Sequence, residues 1–408
     1  MSKKAKSVPA LIDDTPVETT AQRGELLFTH IDGKKVQATI ENLRDLLLYH
    51  KIICRYNVIS KKVIHSIPGE DFTIDNEENA ALAVIYSLMK QWCMPTDGHK
   101  GYLLRIADEN QFNPVLEWVR SKKWDGHSRL QEFTNTITSP EPEAKHLLIR
   151  RWLITAMSMA CKQGIDSAGC LVLQGGQDIG KTWWVRKLVP DELREQLVRT
   201  DATVDPHDKD SVSQIISYWI CELGEIGATF AKADLQALKA FITKDHDIMR
   251  RPYDMGDSRY PRRTALIASV DQMIYLHDTA GNRRFWTVPC TAINSYHTID
   301  MQQLWAEVLD LIEVKGETWQ LAPDEKAHIA RINEQHIQVE PIFEKVRDYY
   351  NWEYKLDDRK SATEIAEAIG LKSPNRKDVA IVLAAVLKLN GNQREPFNKK
   401  RLFIPHVI

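Results

Sequence analysis

The residues Gly175-Gly176-Gln177-Asp178-Ile179-Gly180-Lys181-Thr182 form a run of glycine, four residues, glycine, lysine and threonine. In such a run the glycines let backbone N–H groups face a polyphosphate, the lysine reaches its terminal oxygens, and the threonine hydroxyl ligates Mg2+. An apolar stretch at residues 171–174 precedes the run and the helical pattern Trp183-Trp184-Val185-Arg186-Lys187-Leu188 follows it, the strand-to-helix setting that a phosphate cradle needs. The chemistry expected is binding of ATP with Mg2+. Asp178 is an acid inside this cradle, so its side chain must point away and leave the binding to the backbone.

A nucleotide cradle also needs an acidic strand end to hold the metal and orient water. Ser217-Tyr218-Trp219-Ile220-Cys221 is an apolar run that ends in Glu222-Leu223-Gly224-Glu225. Glu222 is placed to hold Mg2+ directly or through water, and Glu225 to polarise the attacking water, although spacing alone does not decide which acid does which. An ordinary strand running out into solvent is the bland alternative. Further on, the apolar run Ala265-Leu266-Ile267-Ala268-Ser269-Val270 ends in Asp271, where a sensor of the terminal phosphate would stand, and Arg283 and Arg284 could supply a transition-state charge. Taken alone, a surface arginine pair is usually a solvated, salt-bridging face.

Between these segments the chain is rich in arginine: Arg250, Arg251, Arg259, Arg262 and Arg263 are interleaved with Tyr253 and Tyr260. Guanidinium groups and aromatic rings together pair with phosphates and stack on bases, as a single-strand channel requires. A charged loop paired with Asp254 and Asp257 is the alternative. Late in the chain Arg376 and Lys377 open a helical pattern, and Lys399-Lys400-Arg401 mark a terminal ribbon; these are the two elements with which winged helices touch DNA.

The elements that must position these residues follow from patterning. The chain has 408 residues, 43% of them hydrophobic, and a formal net charge of −2, so any nucleic-acid surface must come from local clustering and not from bulk charge. Its six cysteines are dispersed without C-x-x-C spacing, which suits buried thiols in a reducing cytosol. No apolar run reaches the ~18–20 residues of a membrane span, and a cytoplasmic protein with no membrane partner is expected. Residues 1–24 are polar and aperiodic and read as a disordered tail. Residues 25–75 read as a small α+β N-terminal module with a hairpin turn at Asp32-Gly33, and residues 76–164 as a helical collar. Residues 165–335 alternate short apolar runs with helical patterns, as a parallel-sheet α/β core does. Residues 336–408 have a helix–helix–helix–ribbon order that looks like a winged helix.

Several motifs in this order resemble the virulence-associated E family, the VapE-like P-loop proteins of phages, satellites and integrated islands, which are related to superfamily-3 helicases. The likeness covers roughly residues 105–320. It rests on Asn113-Pro114, Lys123-Trp124-Asp125-Gly126, Arg129-Leu130, the glycine-lysine-threonine run and Trp219 to Glu225. It continues through Leu238-Lys239-Ala240-Phe241, Arg251-Pro252-Tyr253, Pro261-Arg262, the distinctive Gly281-Asn282-Arg283-Arg284-Phe285-Trp286 and Leu304-Trp305-Ala306-Glu307.

The resemblance implies an α/β fold with an AAA+ or superfamily-3 helicase-like P-loop core, and a hexameric ring with ATP at subunit junctions. Arg283 or Arg284 would then reach into the neighbouring subunit's site, and the arginine-rich segment would form a hairpin touching DNA in the channel. Lys181, Thr182, Glu222 and Glu225 would keep the roles given above. Two departures stand out: Asp271 occupies the place of a sensor asparagine, and Asp178 replaces a commoner glycine. The N-terminal module has no primase signature, so a separate primase is expected as a partner. The activity implied is an ATP-dependent replicative DNA helicase and replication initiator of a phage or mobile element, acting on origin DNA and on single-stranded or forked DNA. The alternatives are a nucleotide-switched origin-binding protein without strong unwinding, and a phage-related ATPase in defence or interference.

Overall fold

The computed structural model describes residues 26–33, 35–73, 75–224, 226, 232–249, 256–276, 282–337, 341–353, 356, 358–391, 393 and 401–405. The chain divides into two compact units, one of residues 1–273 and 281–335 and one of residues 274–280 and 336–408. Among the described residues no helix is long and apolar enough to cross a membrane.

The first unit begins with a two-stranded hairpin in which Ile31 faces Val36, then the helix Ile40–Tyr49 and the antiparallel pair Ile53–Asn57 and Lys62–Ser66. Thr39 caps the helix through its side chain, which accepts from the Asn42 backbone N–H. The helices Glu77–Gln91 and His99–Asp108 do not form a separate collar. Their Ile85, Met89 and Leu103 share one apolar cluster with Leu43, Leu46 and Leu47, and the N-terminal module accordingly runs to the short strand Gln111–Phe112, parallel to Ile53–Asn57.

Five strands build the central sheet: β1 (Cys170–Gln174), β2 (Val198–Ala202), β3 (Ile220–Gly224), β4 (Ala265–Val270) and β5 (Phe285–Pro289). Their order is β5-β1-β4-β3-β2 and every pairing is parallel. β1, β3, β4 and β5 are almost wholly buried, the pattern of parallel strands covered on both faces, which explains their runs of Val, Ile, Leu and Cys. Strand β4 inserts between β1 and β3, so the residues just past β4 stand between the loop that follows β1 and the end of β3, the strand that carries Glu222.

Helix α1 (Pro142–Cys161) starts with proline in its first turn and is buried without interruption from Trp152 to Ala160, so it runs through the core instead of over its surface. The buried indoles of this unit all donate: Trp152 to the Leu266 carbonyl at 2.8 Å, Trp219 to that of Ala156 at 2.9 Å, Trp305 to that of Leu188 at 2.8 Å, Trp184 to the Thr136 hydroxyl at 2.8 Å, and Trp286 to the Arg283 carbonyl at 3.2 Å. A buried N–H left without an acceptor costs about 1–3 kcal/mol, so these bonds fix where each ring sits as well as filling space. The unit also contains the helices α2 (Lys181–Arg186), α3 (Lys232–Ile242), α4 (Met301–Glu313) and α5 (Pro323–Glu334), and the short helices Pro114–Val119, Leu130–Thr134, Asp191–Leu197 and Lys209–Ile215.

The second unit contains α6 (Pro341–Tyr349), β6 (Asp358–Ser361), α7 (Ala362–Ala368), α8 (Arg376–Leu389) and β7 (Arg401–Ile404). Val346, Ile365, Val382, Val386, Leu402 and Ile404 form its core. The ribbon expected at the C-terminus takes its first strand from between the first two helices: β6 pairs antiparallel with β7, Asp358 opposite Ile404. Ser361 ends β6 and caps α7 in a reciprocal box with Glu364, which turns the chain directly from strand to helix.

Candidate active site

The loop after β1 is pinned at its base. The Gly175 N–H donates to the Val270 carbonyl at 2.9 Å, and the Cys290 N–H donates to the Gln174 carbonyl at 2.6 Å. Gly175 has no room for a side chain, because a Cβ there would lie 2.3 Å from the Cys290 carbonyl oxygen. Asp178 adopts φ 61°, the left-handed region that glycine enters freely and that Asp and Asn tolerate better than other residues. This accounts for an aspartate where glycine is the commoner residue; its side chain is exposed. Gly180, at φ +97°, turns the chain into α2, whose first residues are Lys181 and Thr182.

Lys181 is buried and its ammonium donates three bonds of 2.7 Å, to the carbonyls of Gly175 and Gly176 and to Asp271 Oδ1. Its three protons are all used. Asp271 follows β4, whose Val270 is in register with Gln174 of β1, and this parallel pairing delivers the carboxylate to the lysine.

Glu222, in β3, is fully buried. Thr182 Oγ1 donates to Glu222 Oε1 at 2.9 Å, and the Ser269 hydroxyl of β4 donates to the same oxygen. The other oxygen, Oε2, is buried with no hydrogen-bond partner among the described residues. Burial raises the carboxyl pKa above the ordinary glutamate value, the bonds from Ser269 and Thr182 act against that rise, and the nearby charge of Asp201 adds to it. A buried carboxylate with an unused oxygen beside a threonine hydroxyl is a hard-oxygen donor set that fits Mg2+. Thr182 and Glu222 are the residues that would hold it. Asp201 reaches this neighbourhood because β2 is irregular between Arg199 and Ala202, with Asp201 at φ 54°.

The arginines lie elsewhere. Asn282–Arg284 form a single 3-10 turn before β5, and β5 pairs Phe285 with Cys170 and Pro289 with Gln174. Arg283 and Arg284 therefore stand at the amino-terminal edge of the sheet while the cradle stands at the carboxyl edge, about 20 Å away at ~3.3 Å per residue. Arg283 is exposed, and Arg284 is half-buried with Nε unbonded among the described residues. Asn333 of α5 clamps this turn: its amide donates to the Asn282 carbonyl at 2.8 Å and to the Phe285 carbonyl at 2.9 Å, and accepts from the Thr287 hydroxyl at 2.6 Å.

The arginine-rich segment splits. His246–Met249 and Ser258–Pro261 form an antiparallel hairpin on which Arg259 is exposed. Arg262 and Arg263, expected among the nucleic-acid contacts, are instead buried. Arg262 makes two 2.7 Å bonds to Asp247, donates to the Phe241 carbonyl at 3.0 Å and stacks 4.2 Å from the Phe241 ring centroid. Arg263 donates to the Ala160 carbonyl at 2.6 Å. Groups occupied in this way hold the base of the hairpin against the core and do not offer themselves to a ligand. In the second unit Arg376 opens α8 and Arg401 opens β7, both exposed, and Lys377 lies in the first turn of α8. Glu225, Arg250, Arg251, Tyr253, Lys399 and Lys400 lie outside the described residues.

Sequence reasoning gave no role to Ser269, Asp201 or Asn333. Only Ser269 left a signal, as the one polar residue in the otherwise apolar β4.

A family model described as the virulence-associated protein E-like domain matches residues 119–338, more than half of the chain. No curated protein matches it. Among solved structures, the apo structure of the NrS-1 C-terminal region is similar, with a TM-score of 0.51 and 14% sequence identity over 89% of this chain and 98% of that one. Two A-form apo structures of the same region give TM-scores of 0.44 and 0.47, at 12% and 15% identity, over 89% and 90% of this chain and 98% and 99% of theirs. At such identities the likeness concerns the fold alone.

Proposed function

The chain belongs to the virulence-associated protein E-like family, and we propose that it is an ATP- and Mg2+-dependent replicative DNA helicase and replication initiator of a phage or mobile element, working as a hexameric ring. The observation that carries this reading is the loop after β1, at the carboxyl side of parallel strands where open α/β sheets bind ligands, with Lys181 held by its carbonyls and Asp271 and with Thr182 bonded to Glu222 of β3. Lys181 would lend its charge to the terminal phosphates. Thr182 and Glu222 would hold Mg2+, which when bound spreads the developing charge on the phosphoryl oxygens. Glu225 is the proposed water-orienting acid.

The distance of Arg283 and Arg284 from their own cradle supports a role in the neighbour's site, which is what a ring requires. Arg259, with Arg250, Arg251 and Tyr253 on the same segment, is proposed to touch single-stranded or forked DNA. The second unit is read as a winged helix that selects origin DNA, with Arg376 and Lys377 on α8 and Lys399, Lys400 and Arg401 on the ribbon as contacts. A primase would be supplied separately.

The test compares wild type with Lys181→Ala for ATP hydrolysis and for unwinding of a labelled fork. Both activities are expected in the wild type and neither in the variant; a variant that unwinds normally removes the reading. A second reading, a nucleotide-switched origin-binding protein, draws support from the Lys181–Asp271 ion pair, since a carboxylate at the sensor position opposes the terminal phosphate. Robust wild-type unwinding of the fork excludes it.

A further inference from the structure

We propose that Trp183 is a stacking platform for the base of the bound nucleotide, and that it makes the site selective for purines. This rests on the nucleotide-binding reading of the cradle and extends it to the part of the ligand the cradle does not touch. Of the eleven tryptophans in the chain, Trp183 is the one whose side chain is exposed, at 50%. The adjacent Trp184 is fully buried and stacks on Phe133 at a centroid distance of 4.9 Å, so the exposed ring is not part of the core that fixes α2. Trp183 directly follows Lys181 and Thr182, the residues assigned to the terminal phosphates and the metal. A ligand whose phosphates occupy that end of the loop must send its sugar and base outward, toward the solvent side of the same turn.

The ring is also held. The Arg186 guanidinium lies 5.3 Å from its centroid, and that guanidinium is itself fixed by Nε and Nη2 donating to the Thr200 hydroxyl of β2 at 3.3 and 3.1 Å. One face of the indole is thus backed by an anchored cation, and half of the residue's surface is open to solvent, where a flat ring can approach. Base–aromatic stacking is sequence-tolerant but grows with ring area, so purines gain more from such a platform than pyrimidines.

The experiment titrates the full chain with ADP, CDP and inorganic tripolyphosphate, in wild type, Trp183→Ala and Trp183→Phe. Expected is an ADP affinity about tenfold weaker in Trp183→Ala, in line with the loss of one stacked base. The ADP preference over CDP falls with it, tripolyphosphate affinity stays within twofold, and Trp183→Phe retains most of the ADP affinity. Unchanged ADP binding in Trp183→Ala, with tripolyphosphate still bound, overturns the platform and leaves the cradle standing. An equal loss for ADP and tripolyphosphate assigns Trp183 to the shape of the loop and also overturns it. A wild type that binds neither ligand removes the cradle and the platform together.

Discussion

Lys181 Nζ lies 2.7 Å from Asp271 Oδ1, so the carboxyl end of β4 is tied to the loop after β1 by an ion pair whose lysine is buried and whose aspartate is 52% exposed. The exposed carboxylate gains little from the contact, about 0–1 kcal/mol. It nevertheless stands where a terminal phosphate would approach the lysine, and two anions at one ammonium oppose each other. Asp271→Asn is expected to tighten nucleotide binding about three- to tenfold by removing that charge while keeping an acceptor for Lys181. Titration with ADP and a slowly hydrolysed ATP analogue measures this. Weaker binding in the variant would mean that the carboxylate holds Lys181 in its working position.

The separation of Arg284 from the cradle within one chain leads to a complementation test. Lys181→Ala and Arg284→Ala proteins are each expected to be inactive in ATP hydrolysis. Mixed together, they would form some junctions in which the intact cradle of one faces the intact arginine of the other. ATPase activity is therefore expected to return to a fraction of the wild-type rate. If the mixture stays inactive, and Arg283→Ala in place of Arg284→Ala behaves the same way, the arginines do not act across subunits.

The glycine-lysine-threonine run and Glu222 were legible in the sequence because residue type and spacing alone mark them: the run lies within eight residues, and Glu222 directly follows the apolar Ile220-Cys221 inside β3. Ser269 and Asn333 were not, because their roles arise from contacts with Glu222 and Thr287 across 47 and 46 residues, which no local pattern records. Arg262 reads as a surface cation for a related reason. A charged residue in a polar run looks like surface until a buried partner is known, and Asp247 faces it from the other strand of the hairpin. The ribbon of the second unit was half legible: β7 closes the sequence pattern, but β6 is a short polar strand, Asp358-Arg359-Lys360-Ser361, with no apolar alternation to announce it.

Gly169 makes a prediction about the fold alone. A Cβ at this position would lie 2.3 Å from Trp286 Nε1 and 2.8 Å from the Arg284 carbonyl oxygen, and neither the buried indole nor the backbone can move aside. Gly169→Ala is expected to destabilise the first unit by about 1–3 kcal/mol through overpacking. It should also disturb the turn that carries Arg283 and Arg284. Thermal melting reads the first effect; a melting temperature equal to wild type would show that β1 and β5 can separate at this end without loss.

The thiols divide by burial. Burial pushes the thiols of Cys54, Cys221 and Cys290 up to about 12, and that of Cys170 further still, whereas Cys93 is exposed. The reactive form is the thiolate, so at pH 8 a thiol reagent should label Cys93 quickly, and these four only when the protein unfolds. The raised values have a definite sign. The protonated thiols favour the fold below the ordinary value near 9.0, and this contribution is lost as pH climbs from there toward 12. Rapid labelling of Cys290 in the folded protein would show that the strand end beside Gly175 opens readily.

Arg259 and Arg262 lie on one arm of the chain but should behave as opposites. Arg262 is 1% exposed and Asp247 3%, with two 2.7 Å bonds between them, so removing the guanidinium leaves a buried carboxylate facing Lys244 Nζ at 3.9 Å without its two hydrogen bonds. Arg262→Ala is expected to cost about 3–5 kcal/mol of stability, and any loss of DNA binding would follow from unfolding of the hairpin base. Arg259 is 66% exposed and pairs with Asp245 only at 3.8 Å among the described residues, so Arg259→Ala should leave the melting temperature within a degree or two. If the hairpin touches DNA, Arg259→Ala should weaken single-strand binding several-fold and flatten its dependence on salt, since one phosphate contact is gone. A salt series on the two variants separates these cases, and an Arg259→Ala protein with unchanged affinity and slope would place the DNA contact elsewhere on the chain.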